Sequence, residues 1–373
     1  MKIAVDTRQL RENHLQEDRY FLQEVLKRII NKNPGHEFVF IFDRPYDAKF
    51  LFDKNITAVI TSPRVSNHLL AKFWYDIKIP ALLKKHKADV FIAGNGMCSL
   101  TTKCPQCLVI NDLSFLYHPS FIKKTDLFFF KRYTKRFLQK ADSIVTFSEI
   151  LQKRILSLNA IKKEKIIIVR GAAREVFYPV SESEKEETKK KYTDGKNYFV
   201  YIGTIQPQKN LINLLKAFSV FKKRQKSDWK LVLAGSTTPG YKNFSDKLKT
   251  YKHRADVVTI SANEGEAPEL IGSAYAFIFP SFGEGLGTQI LGAMNSHIPV
   301  ITSENSAMQE IAGDAALYIN PAEHKDIADK MMLLYKDETL RNNLIEKGKL
   351  VAAHYTWEKA ADLFWQSILK AIK

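Results

Sequence analysis

Residues 280–321 read PSFGEGLGTQILGAMNSHIPVITSENSAMQEIAGDAALYINP. The apolar run Ala276-Phe277-Ile278-Phe279 stops at Pro280, and a glycine-spaced acidic loop, Glu284-Gly285-Leu286-Gly287, follows. A helix is expected as far as Asn295, and Pro299-Val300-Ile301-Thr302 has the composition of a buried strand. This is a strand–loop–helix–strand unit with glycines where the helix begins. The first turn of a helix holds unpaired N–H groups and partial positive charge, which makes it a ready anion site. Glycines there let a ligand approach the backbone closely.

The same alternation runs through the chain and predicts α/β architecture with parallel sheets. Strands are expected at 2–6, 37–42, 56–60, 89–92, 107–111, 143–146 and 166–169, with helices at 17–32, 67–86, 123–140 and 149–158. The stretch 181–196, SESEKEETKKKYTDGK, is nearly free of apolar residues and reads as a linker with a short exposed helix. A second series follows, with strands at 198–202, 229–234, 257–260, 276–279, 298–302 and 315–319. The length of 373 residues suits two domains. These are residues 1–178 and 179–355, two Rossmann-like doubly wound domains facing a central cleft, with 356–373 as a final helix crossing back to the first.

The net charge is +17, and it is unevenly placed. Through residue 179 there are 31 Lys and Arg against 17 Asp and Glu; the remainder holds 26 against 23. Such asymmetry suggests that the first half faces something anionic. No nucleic-acid-binding signature stands out, so an anionic membrane surface fits better than nucleic acid. Residues 121–140, FIKKTDLFFFKRYTKRFLQK, combine seven basic residues with five Phe. Lys123, Lys124, Lys131, Arg132, Lys135 and Arg136 are therefore candidates for an acceptor or membrane side; the other reading of this stretch is a core helix whose Phe side chains fill the sheet face. No apolar run approaches the roughly 20 residues of a membrane span, and the opening MKIAVDTR lacks the apolar segment of a signal peptide. A cytoplasmic protein is expected, peripheral on the inner face of the membrane. Cys104-Pro-Gln-Cys107 has no second pair to complete a zinc site and reads as an incidental loop.

Several of these stretches together resemble family 4 glycosyltransferases, GT-B proteins that transfer sugars from nucleotide-activated donors with retention of configuration. The resemblance covers nearly the whole chain and is most specific over 198–321. Gly203-Thr204-Ile-Gln-Pro207-Gln208-Lys209-Asn210-Leu211 looks like the family's Gly-Thr-Leu-Glu-Pro-Arg-Lys-Asn-Leu element. The resemblance implies that Lys209 holds the donor diphosphate and that Glu284 contacts the donor sugar. Gly203, Thr204 and the backbone of Gly285, Leu286, Gly287 and Thr288 would complete the donor site. A lysine with helix N–H groups can stabilise a leaving diphosphate without a metal, and no Asp-x-Asp pair is present, so neither metal nor cofactor is expected. The expected partners are a nucleoside diphosphate sugar and a glycan or lipid-linked acceptor, and surface-polysaccharide synthesis is the implied pathway.

The chain also departs from that pattern. The family's second Glu, eight residues after the first, is Gly292 here; it normally grips the ribose, and restoring Glu at this position is expected to raise nucleotide affinity. The family His that reaches the donor sugar is Asn111, which can hydrogen-bond a hydroxyl but cannot become cationic. Asn111 with Glu284 is the candidate catalytic pair, and His118 reads as structural. The family's glycine loop is Gln16-Glu17-Asp18, whose acids would repel a diphosphate. These three changes keep a second reading open, a catalytically degenerate homologue that binds a glycan or a partner glycosyltransferase.

Overall fold

A computed structural model describes residues 1–10, 17–237, 241–261 and 265–373, with the backbone alone for Glu17, Asp18 and Lys242. Gln16 and the side chains of Glu17 and Asp18, which carry the expected departure in the glycine loop, lie outside the described residues. One compact unit comprises residues 1–10, Asp18–Gly171 and Trp357–Lys373; the other comprises Ala172–Thr356. Ala172 to Tyr178, expected with the first domain, group with the second, because Phe177 is part of the second unit's core.

The first unit is built on seven parallel strands, β1 (Lys2–Asp6), β2 (Glu37–Phe42), β3 (Ile56–Ile60), β4 (Val90–Ala93), β5 (Gln106–Val109), β6 (Ser143–Thr146) and β7 (Ile166–Ile168). Their order is β3-β2-β1-β4-β5-β6-β7. Runs such as Phe38 to Phe42 and Val90 to Ala93 are buried throughout, as strands covered by helices on both faces must be. The order reverses between β1 and β4, where ligands of such sheets sit beyond the carboxyl ends. That edge is polar: Asp6, Thr7 and Arg8 at the end of β1, Asp43 and Arg44 after β2, Asn95 after β4 and Asn111 after β5.

One helix was expected over 67–86. Instead His68–Phe73 passes through a π turn, Trp74–Lys78, into Ile79–His86. Pro80 has no N–H to give the preceding turn, and the ladder widens before it. Helix Lys124–Lys140 buries Phe129, Thr134, Phe137 and Leu138, so most of its aromatic content packs the core. The last helix, Trp357–Ile372, belongs to the first unit. Phe364 is fully buried with its ring 6.2 Å from Phe21, and Arg28 Nε donates to Glu358 at 2.8 Å. Ser367 accepts from the Ser143 hydroxyl at 2.8 Å and lies 3.2 Å from Cys107 Sγ. Burial pushes Cys104 up to about 11 and raises Cys107 as well, so neither thiol is a ready thiolate.

The second unit has six parallel strands, β8 (Tyr198–Ile202), β9 (Lys230–Ala234), β10 (Val257–Ile260), β11 (Ala276–Phe279), β12 (Val300–Ser303) and β13 (Ala316–Ile319), ordered β10-β9-β8-β11-β12-β13. The order reverses between β8 and β11, the two strands that lead into the motif loops. The charged stretch after residue 180 forms helix Glu182–Thr193, started by a capping box between Ser181 and Glu184. No helix of the described residues is long and apolar enough to cross a membrane.

Gly292 has a packing reason that the sequence reading lacked. It lies buried in helix Thr288–Asn295, and a Cβ built on it would come within 2.7 Å of Phe177 Cδ2. The Phe177 ring takes the space that a side chain at 292 needs, and Asn295 Nδ2 donates to the Phe177 carbonyl and fixes that segment. The nearby cavity, lined by Arg174, Phe177, Thr288 and Gln289 among others, is about 30 Å³, room for a water and not for a ribose. The expectation that a restored Glu would raise nucleotide affinity is therefore corrected, since the frame around position 292 is filled. In an open helix Gly→Ala gains about 1 kcal/mol; here Gly292→Ala is expected to lose about 1–2 kcal/mol to overpacking. Gly292→Glu is expected to lose more and to leave nucleoside diphosphate affinity no higher. Urea unfolding of both variants, with a nucleotide titration of the folded fraction, checks this.

Candidate functional site

At the carboxyl edge of the second sheet, β8 runs into Gly203, whose N–H donates to the Ala234 carbonyl at 2.9 Å. Tyr201 Oη donates to the Thr204 carbonyl at 2.8 Å and holds the turn. A single 3-10 turn, Pro207–Lys209, follows. Asn210 then takes a left-handed conformation, and its Nδ2 donates to the carbonyls of Pro280 at 3.0 Å and Pro321 at 2.6 Å. Helix Leu211–Gln225 begins directly after it. Lys209 is thus placed by a short rigid turn whose neighbour is stitched to the loop after β11.

That loop carries Glu284. Lys209 Nζ lies 2.5 Å from Glu284 Oε1 and 5.0 Å from the Phe279 ring centre. Both side chains are largely buried, 8% and 11% exposed. Ser281 Oγ donates to the same carboxylate oxygen at 2.6 Å, while Oε2 takes no hydrogen bond among the described residues. Gln208, where the family pattern has Arg, laces the two loops: its Nε2 donates to the Gly283 carbonyl at 2.6 Å and its carbonyl accepts from the Phe282 N–H at 2.9 Å. Gly285 and the buried Leu286 lead to Gly287, whose φ of +68° caps helix Thr288–Asn295. A Cβ there would be strained and would crowd Ile311 Cδ1 at 3.2 Å. Gly203, Thr204, Lys209 and Glu284 to Thr288 are therefore gathered on one sheet edge, with a buried cation, a buried carboxylate and a helix start. Such a set can hold an anion at the lysine and the N–H groups while the carboxylate orients hydroxyls.

Asn111 is in the first unit, beyond β5. Its Oδ1 is buried and makes no hydrogen bond among the described residues. His118 stacks on Phe121 with ring centres 5.5 Å apart. Lys123, Lys124, Lys131, Arg132, Lys135 and Arg136 are all exposed, on the solvent side of their helix and its start.

Sequence reasoning missed a buried polar network at the first sheet's carboxyl edge. Arg8 donates to both oxygens of Asp6, Nε to Oδ1 at 2.9 Å and Nη2 to Oδ2 at 2.8 Å, and also to Tyr75 Oη at 2.9 Å. The Tyr75 hydroxyl donates to Asp6 at 2.5 Å, and the guanidinium lies 4.1 Å from the Trp74 ring centre. Burial alone would lower the Arg8 pKa, but the Asp6 carboxylate overrides it and keeps the guanidinium charged. Arg44 forms a second fork with Asp43, 2.7 Å at each prong. Burial would raise the Asp43 carboxyl; hydrogen bonds from Arg44 and the Val65 N–H hold it below the ordinary range. The signal that could have found this network is a charged residue placed directly where an apolar strand ends, as in Val5-Asp6-Thr7-Arg8 and Phe42-Asp43-Arg44.

Residues 182–351 match the family described as glycosyl transferases group 1. The chain is 26% identical over 260 residues to O-antigen chain mannosyltransferase B of Escherichia coli, covering 66% of each chain. It is 27% identical over 223 residues to O-antigen chain mannosyltransferase RfbU of Salmonella typhimurium, covering 59% of this chain and 58% of that one. The match thus spans less than two thirds of each relative's length. Among solved structures, WaaG, a glycosyltransferase involved in lipopolysaccharide biosynthesis, aligns over 99% of both chains with a TM-score of 0.78 at 13% identity. HepE of Anabaena, solved with UDP and glucose, aligns over 99% of both with a TM-score of 0.75 at 14% identity. The chain thus carries a match to the group 1 glycosyl transferases over residues 182–351 and shares the GT-B fold of these solved structures.

Proposed function

We propose that the protein moves a hexosyl unit from a nucleotide sugar to a glycan or lipid-linked acceptor in surface-polysaccharide synthesis, with retention and without a metal. The observation that carries this reading is the Lys209–Glu284 contact at 2.5 Å, beside the helix that starts at Thr288. As the bond from the sugar's anomeric carbon to the diphosphate oxygen breaks, charge grows on the leaving diphosphate. Lys209 and the first N–H groups of the helix offset it, and Glu284 receives the sugar's hydroxyls. The acceptor oxygen then bonds to that carbon on the same face and passes its proton to the departing diphosphate oxygen. The named relatives favour mannose as the hexose and an O-antigen-type glycan as the product.

The second reading, a degenerate homologue, draws on one observation: Phe177 fills the space beside Gly292 and leaves no room for the carboxylate that clasps ribose in the family pattern. Turnover of nucleotide sugars with cell-derived glycan and lipid acceptors decides between the two. The transferase reading expects robust turnover, reduced about 100-fold by Glu284→Gln through lost orientation of the sugar. Nucleotide binding without turnover would establish the degenerate one.

A membrane surface is the partner proposed for the first unit. The solvent face of helix Lys124–Lys140 carries Lys124, Lys131, Arg132, Lys135 and Arg136 around Phe128, which is 74% exposed. Leu69, Phe73 and Ile77 are also exposed, Leu69 at 77%. The two helices touch, since His68 stacks on Phe129 at 5.0 Å and lies 3.3 Å from Asp126. Exposed apolar side chains ringed by cations suit an anionic bilayer. Vesicles rich in phosphatidylglycerol should sediment the protein at low salt and release it near 1 M salt, where the Debye length falls to about 3 Å. Phe128→Ser should weaken binding several-fold, and no sedimentation at low salt would refute the assignment.

A further inference from the structure

At the amino edge of the second sheet, the opposite edge from Lys209 and Glu284, lies a pocket of about 500 Å³, within the range of small-ligand sites. Its floor is made by the turns that enter the strands: Asn197 before β8, Ser273 to Tyr275 before β11, and Ser296 to Ile298 before β12. Helix Glu182–Thr193 brings Lys185 and Lys189 to one flank, and helix Glu338–His354 brings Arg341 and Lys349 to the other. Among the described residues the wall thus holds four cations against one carboxylate, Glu182. The surplus is local, since the chain beyond residue 179 is nearly balanced, with 26 Lys and Arg against 23 Asp and Glu.

Each cation has an acid one turn earlier on its own helix: Lys185 with Glu182 at 2.5 Å, Lys189 with Glu186 at 3.1 Å, Arg341 with Glu338 at 3.0 Å and Lys349 with Glu346 at 2.6 Å. The acids face solvent and the cations face inward. The side chains of Glu186, Glu338 and Glu346 are more than half exposed and stand outside the wall, whereas those of Lys189 and Arg341 are 17% exposed. Pairs with a solvent-exposed acid hold weakly, so these cations can still answer an anion inside the pocket. Arg341 is already placed, with its guanidinium 4.5 Å from the Tyr275 ring centre. The His297 imidazole lies between the flanks. Its pKa is below the ordinary histidine range, by burial first and then by Lys349; Glu346 opposes this, and Lys185 adds to the lowering from the facing helix. In the floor, Ser296 is 2% exposed and its hydroxyl makes no hydrogen bond among the described residues. A buried hydroxyl left without a partner is costly, and a ligand in the pocket supplies one.

We propose that this pocket is a second ligand site, for a small phosphate ester with a hydroxylated body such as a hexose phosphate. The cations of the two flanks receive the phosphate, and the Ser296 hydroxyl and the Asn197 amide receive hydroxyls of the body. A lipid headgroup carries the same phosphate, but Ser296 lies at the floor of a recess that a flat bilayer does not reach.

The whole chain is titrated with hexose 6-phosphates, with inorganic phosphate and with neutral glucose, following the amide resonances of Asn197, Ser296 and His297. At least one hexose phosphate should bind, inorganic phosphate should bind at least threefold more weakly, and neutral glucose should not shift these resonances. Affinity should fall at least fivefold in Lys189→Gln and in Lys349→Gln, and at least threefold in Ser296→Ala, each checked for folding. It should stay within twofold in Lys347→Gln, whose lysine is on the same helix but pairs with Asp314 away from the wall. It should also stay within twofold in Lys209→Ala, which separates this site from the donor loops. Sedimentation with phosphatidylglycerol vesicles should change less than twofold in Lys189→Gln and Lys349→Gln. Overturning results are that no phosphate-bearing probe shifts these resonances, that inorganic phosphate binds as tightly as the esters, that binding follows Lys209 and ignores the wall lysines, or that the wall lysines govern vesicle binding instead.

Discussion

The Lys209–Glu284 ion pair sits where the two halves of the second sheet diverge, and it joins side chains 75 residues apart. Two charges so far from solvent are tolerated only when each answers the other. The pair is supported by Ser281 on the carboxylate and by the aromatic face of Phe279 beside the ammonium. It fixes the turn after β8 against the loop after β11, and with them the start of helix Thr288–Asn295. It also decides how an anion could be received. On the proposed function, a diphosphate arriving at Lys209 would share a cation already held in place, and Glu284 would turn to the hydroxyls of a sugar.

The two sheets use their carboxyl edges differently. The second concentrates one cation, one carboxylate and a glycine-opened helix start. The first spreads matched guanidinium–carboxylate forks across β1 and β2, with the orphaned amide oxygen of Asn111 further along. One arrangement concentrates its charge at a single pair, the other spreads it over matched pairs. Within the second unit, the Gly292–Phe177 contact shows that a missing acid can be a packing decision. A glycine is required at 292 because an aromatic ring lies against the helix, so the departure there cannot be reversed by one substitution.

The doubly wound order of both units was legible because parallel strands buried on two faces read as unbroken apolar runs, as in Tyr198 to Ile202 and Ala276 to Phe279. Lys209 and Glu284 were each picked from a motif loop, but their ion pair was not foreseen; it arises because the two loops leave the neighbouring strands β8 and β11. The π turn at Trp74–Lys78 was not legible, since Pro80 tells where a helix is disturbed but not how the ladder adjusts. The Phe-rich helix was read in two ways because composition alone does not say which side chains face the sheet; the structure buries Phe129 and Phe137 and exposes Phe128. The Asp6–Arg8–Tyr75 network escaped notice because Tyr75 is 69 residues from Asp6 and only the fold brings them together. For the same reason nothing in the sequence linked Gly292 to Phe177.

The central claim is that Lys209 is the cation that receives the donor diphosphate. Calorimetric titration of the whole chain with a panel of nucleoside diphosphates tests it most directly, using native protein, Lys209→Ala and Glu284→Gln, each checked for folding. A charge-assisted contact of about 2–3 kcal/mol predicts that Lys209→Ala weakens the preferred diphosphate roughly 30- to 150-fold. Glu284→Gln should bind the diphosphate at least as tightly as the native protein, because the lysine is released from its carboxylate. Unchanged affinity in a folded Lys209→Ala protein would contradict the account.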